Sequence, residues 1–104
     1  MAVAEASAEV LSLSLDQILD LRAAGPLKNA LQQGLGRGAA LSIDAGAVSR
    51  MSTACVQVLT AAILETQKRG TPLVVRKSSP AFDAAFANLG LTGILAAIKQ
   101  QEKS

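Results

Sequence analysis

The chain has 104 residues, half of them hydrophobic, and a formal net charge of +2 from ten Lys/Arg against eight Asp/Glu. That length holds one core rather than two, and the hydrophobic content predicts a packed globule instead of a disordered chain. The small charge implies no nucleic-acid partner, and a 2% aromatic content without Trp or Tyr leaves no stacking platform for single strands.

Residues 1–8 are small and polar and are expected to be loose, ahead of one domain over residues 9–98 and a polar tail over 99–104. The segment has no basic start followed by an apolar run, so no signal peptide is expected. Val10, Leu11, Leu13 and Leu15, with Ser12 and Ser14 between them, follow a period of two, which predicts an early strand with one buried face. Ile18 and Leu19 suit a second short strand across an Asp16-Gln17 turn. A helical pattern follows Asp20, with Leu21, Ala24, Leu27, Leu31 and Leu35 near one face. Gly25-Pro26 interrupts it, which places the start near Pro26 rather than at Asp20. Gly34, Gly36 and Gly38 are expected to end this helix.

Ala39 to Ile43 is a short apolar run ending in Asp44 and suits a central strand. A tight connection should follow, and then a long helix opened by Ser52 or Thr53, with Val56, Leu59, Thr60, Ile63 and Thr66-Gln67 on its inner face. Lys68 and Arg69 complement the dipole of its last turn, and Gly70 closes it. Leu73-Val74-Val75 is another short strand, with Arg76-Lys77 as its solvated end. Ser79-Pro80 reads as an N-cap with Pro at the first helical position. Phe82, Ala85, Phe86 and Leu89 would form the apolar stripe of that helix, and Gly90 its end. Leu91 to Ile98 fits either an edge strand or a last helix. The alternation predicts an α/β domain: a mixed, mostly parallel sheet of about four strands with helices packed against it.

Enzyme chemistry finds no support. The chain has no His, so it lacks Ser/His and Cys/His nucleophile pairs and His metal ligands. Gly34, Gly36 and Gly38 follow a helix instead of joining a strand to one, so they do not form a phosphate-binding fingerprint. No cofactor and no metal are expected. One Cys cannot make an internal disulfide, and no apolar run approaches the ~18 residues of a membrane span. The expectation is a cytoplasmic protein with no nucleic-acid partner and no direct membrane insertion.

Three pieces, in their order and spacing, resemble the STAS domain family of bacterial anti-sigma-factor antagonists. One is Ile18-Leu19-Asp20-Leu21 leading into a helix with Leu27 and Leu31. Another is Leu41-Ser42-Ile43-Asp44, then Val48, then Ser52-Thr53-Ala54-Cys55-Val56. The last is Arg69-Gly70 before a strand, then Ser79-Pro80 and an ending in Phe86, Leu89, Gly90 and Leu91. The resemblance spans roughly Val10 to Leu91. It implies a STAS-like fold and a phosphoacceptor at Thr53, with Ser52 as a second candidate. Ser52 stands where the family usually has Asp, and Cys55 where it usually has Gly.

The residues allow two roles for these hydroxyls. One is plain helix capping, and the other is capping together with phosphorylation, since a helix N-terminus tolerates an anion. The expected partner surface comprises Asp44, Ala45 and Gly46 at the strand end, Ser49, Arg50 and Met51 in the loop, and Ser52, Thr53 and Val56 at the helix start. By resemblance, the protein is expected to be a phospho-regulated interaction switch that binds an anti-sigma factor or kinase. The alternatives are a non-phosphorylated STAS subunit of a lipid-transport ABC complex and a STAS adaptor of a chemotaxis histidine-kinase system.

Overall fold

A computed structural model describes residues 10–99. The expected loose segment 1–8, and the tail beyond Lys99, lie outside the described residues. Strand β1 (Val10–Ser14) opens the domain, followed by the two-residue β2 (Ile18–Leu19). A 3-10 turn at Leu21–Ala23 leads directly into helix α1 (Ala24–Arg37). Then come β3 (Ala40–Ala45), β4 (Arg50–Met51), α2 (Thr53–Arg69), β5 (Leu73–Ser78), α3 (Pro80–Ala87) and α4 (Thr92–Ile98).

The main sheet has the order β1-β3-β5 and is parallel throughout; β2 and β4 form a separate parallel pair. Leu41 lies opposite Leu73 and Ile43 opposite Val75, and all four are buried. The other face is mostly polar, with Ser12 opposite Ser42, Ser14 opposite Asp44 and the half-buried Val74 beside Ser42. A parallel strand covered on both faces reads as a continuous apolar run. This alternation instead gives a sheet with one buried face. Helices α1 and α2 close that face through Leu27 and Leu31, and through Val56, Leu59 and Ile63. Phe82 and Phe86 seal one end of the core, fully buried with ring centroids 5.1 Å apart.

Several boundaries differ from expectation for physical reasons. Asp20 does start a helical segment: its side chain accepts from the Arg22 N–H and caps the 3-10 turn. The α-helix begins at Ala24, ahead of Pro26. Pro26 therefore sits in the first turn, where backbone N–H groups have no intrahelical partner to lose. At the other end, the helix runs through Gly34 and Gly36, and only Gly38, at φ 70°, stops it. Gly34 stays helical because it is a contact point. A Cβ there would fall 2.5 Å from Leu41 Cδ2 and 2.9 Å from Leu11 Cδ2.

The central strand extends past Ile43 through Asp44 to Ala45, and β5 runs on through Arg76 and Lys77 to Ser78. A register shift between Ile43 and Asp44 sets Asp44 opposite Lys77, and the Arg76 Nε donates to Ser42 Oγ on the polar face. On α2, Thr60 is half-buried and Gln67 exposed; Cys55 and Ala62 complete the inner face instead. Leu89 is exposed and falls outside α3. Residues 91–98 are resolved in favour of a helix, α4, whose Lys99 cap bridges Val75 at the β5 edge.

Candidate functional site

The connection between β3 and α2 is held from three sides. Asp44, half-buried at the strand end, accepts from the Gly46 N–H through Oδ1 at 2.9 Å and turns the chain. Val48 is buried, its N–H donates to the Ala45 carbonyl at 3.3 Å, and its own carbonyl accepts the Ser79 hydroxyl. The Ser49 and Arg50 N–H groups then both donate to the Gln17 carbonyl, at 2.7 and 3.2 Å. Arg50 opens the strand β4, where the sequence alone predicts only a connection. It pairs with β2, Ile18 opposite Arg50 and Leu19 opposite Met51, and the Ser52 N–H continues the pairing to Leu19 O at 2.8 Å. Two residues are too few for any periodicity to reveal a strand.

The two hydroxyls at the start of α2 have different jobs. Ser52 is the N-cap, with extended backbone, and its Oγ accepts from the Cys55 N–H at 3.2 Å. Thr53 is the first helical residue; it is exposed, and no described group partners its hydroxyl. The Cys55 and Val56 N–H groups both donate back to the Ser52 carbonyl. The Thr53 and Ala54 N–H groups are left pointing out of the helix at its positive end, the arrangement that favours an anion.

Cys55 fills the position of a small apolar side chain. It is fully buried, and its thiol donates to the Asp20 carbonyl at 3.4 Å, tying the start of α2 to the entry of α1. A glycine here would lose both the packing and this tie. Asp20 also faces Arg22, whose guanidinium donates to the carboxylate and holds it below the ordinary aspartate range.

Of the residues expected at a partner surface, Gly46, Ser49, Arg50 and Thr53 are exposed, while Asp44, Met51 and Ser52 are partly so. Two are corrected. Ala45 and Val56 are both 0% exposed, Ala45 facing the core from β3 and Val56 from α2, so neither can meet a partner. The expected list lacked Ile18 and Leu21, which are 50% and 72% exposed and lie beside β4 and ahead of α1. Pairing of β2 with β4 brings Ile18 next to Arg50, a juxtaposition across 32 residues that no local pattern shows.

Compared with known families, the chain matches over residues 2–97 a family model described as Mlab, STAS domain. The chain belongs to the STAS domain family. A comparison with curated proteins gives no match. STAS domains generally mediate protein–protein interactions. Among the described residues, no helix is long and apolar enough to cross a membrane.

Proposed function

We propose that this STAS domain is a phospho-regulated protein-interaction switch, with Thr53 as the acceptor and a kinase or anti-sigma factor as the partner. The observation that carries this reading is the division of labour between Ser52 and Thr53. Ser52 is engaged as the cap, so Thr53 is free to be modified without loss of the helix start. A phosphate would add about −1.5 to −2 charges beside two outward N–H groups, which stabilise it. The domain would stay folded, and the partner would meet a changed surface. Each ~1.4 kcal/mol of repulsion or desolvation there lowers affinity tenfold. No step of this role requires the chain to act as an enzyme.

The test is the affinity of the cognate kinase or anti-sigma factor for Thr53→Ala, Thr53→Glu and Ser52→Ala. The switch reading expects Thr53→Glu to weaken binding at least tenfold and Thr53→Ala to leave it near the wild-type value. Unchanged affinity in all three variants would contradict it. The Ser and Cys at positions 52 and 55 support a second reading, a non-phosphorylated STAS subunit docked through the same helix end in a lipid-transport ABC complex. Co-purification with an ATPase, and no phosphate on the chain, is what that reading expects.

A further inference from the structure

We propose that the groove between α1 and α2 receives an amphipathic helix with acidic flanks from a partner protein. The two helices lie side by side and run in the same direction. Cys55 reaches Asp20 at their N-terminal ends, and the Arg69 Nη1 donates to the Leu35 carbonyl at 2.9 Å near their C-terminal ends. The crevice between them has a volume of about 790 Å³ and an apolar floor that includes Leu31, Leu35, Ala54, Val58 and Ala61. Ala54 and Ala61 are small enough for another backbone to approach closely. From Ala54 to Arg69 the groove wall is roughly 22 Å long at ~1.5 Å per residue, room for about four turns of a second helix. Leu21, in the 3-10 turn that leads into α1 and packs against α2, is an exposed apolar residue ahead of the groove.

Charge selects the occupant. Of the carboxylates along this surface, Glu65 is bound by Arg69 at 2.6 Å and Asp20 by Arg22 at 3.1 Å. Lys28, in the groove wall, and the exposed Arg50, on β4 just ahead of α2 in the chain, have no carboxylate partner among the described residues. With Glu65 and Arg69 paired, the groove lining keeps the Lys28 ammonium as its unpaired charge and is net positive. A second copy of the chain answers that charge poorly. Of its five described carboxylates, Asp20, Glu65 and Asp83 are already paired with cations and Asp44 accepts from Gly46, which leaves only the exposed Asp16, a single charge against the row of carboxylates that a helix edge can carry. A foreign helix carrying Glu or Asp along its edges fits better. The regulation of this groove rests on the switch reading: a phosphate on Thr53 would place negative charge where the acidic flank must sit.

The test uses two synthetic 18-residue helices with the same Leu/Ala face, one flanked by Glu and the other by Lys, titrated into the isotope-labelled full chain. The Glu helix should bind at least tenfold more tightly than the Lys helix and shift the amides of Leu31, Val58 and Ala61. Combined Lys28→Glu and Arg50→Glu should reverse that order. Ala61→Arg, at an exposed position, should abolish binding while thermal unfolding stays unchanged. Absence of saturable binding by the Glu helix, an order that survives the charge reversal, or shifts confined to other surfaces would overturn the proposal. So would a dimer of the chain that Ala61→Arg dissociates, which would assign the groove to a second copy. If Thr53 is never phosphorylated but the Glu helix binds as described, the switch reading alone fails; with phosphate on Thr53 and no groove binding, this inference alone fails.

Discussion

At the residue scale, two adjacent hydroxyls differ in what they hold: Ser52 caps α2, and Thr53 has no partner among the described residues. Ser52→Ala removes an acceptor that the Cys55 N–H uses, and should cost about 1 kcal/mol in a urea titration. Thr53→Ala removes an exposed hydroxyl with no partner, and should fall within about 0.5 kcal/mol of wild type. Equal losses at both positions would mean that the cap is shared. Carboxylates at the surface set a second, weaker dependence. The Arg69 guanidinium donates to Glu65, and Arg22 to Asp20, and each carboxyl is held below its ordinary range. The folded chain then binds fewer protons than the unfolded one. Their contribution is present above the ordinary carboxylate pKa and fades as pH falls through the lowered one. Glu65→Gln should therefore lower the melting temperature by a constant amount above about pH 5 and flatten its fall between about pH 5 and about pH 3, where carboxylates titrate.

At the element scale, two glycines of α1 that look alike in sequence do opposite things. Gly34 is buried with Leu41 and Leu11 against it, whereas Gly36 is exposed, helical and free of neighbours within 4 Å. Gly34→Ala should destabilise by about 1–2 kcal/mol, overpacking outweighing the gain in helix propensity. Gly36→Ala should stabilise by about 0.5–1 kcal/mol. Chemical denaturation of the pair decides this, and a gain at Gly34 would show that the helix can move off the sheet. The contrast also marks what sequence could carry. Ser79-Pro80, Gly70 and the period of α2 located their elements because each acts within a few residues. The meeting of Gly34 with Leu41, and of Ile18 with Arg50, depends on the folded chain. Val56 and Ala45 stand close to Thr53 and Gly46 in sequence, but the helix and strand phases turn both into the core.

At the scale of the whole molecule, a thin core holds the fold together. The sheet is buried on one face only, and Phe82 and Phe86 are the only aromatic residues in the chain. Phe82→Ala should remove about 3–5 kcal/mol, a large share of the ~5–15 kcal/mol that holds a domain of this kind together. Phe82→Leu should cost less than about 1.5 kcal/mol. Calorimetry on both variants checks the ranking, and equal effects would remove the rings from the core. The helix that carries both rings packs against β4, and Ser79, which caps that helix, also donates to the Val48 carbonyl. The aromatic helix and the connection between β3 and α2 are thus anchored to one side chain.

The most direct measurement is phosphosite mapping on the intact chain taken from its native cell, compared with Thr53→Ala and Ser52→Ala expressed there. We expect a single phosphate on Thr53, absent from Thr53→Ala and retained in Ser52→Ala. A chain that stays unmodified under every growth condition, or carries its phosphate on Ser52 alone, would contradict the account.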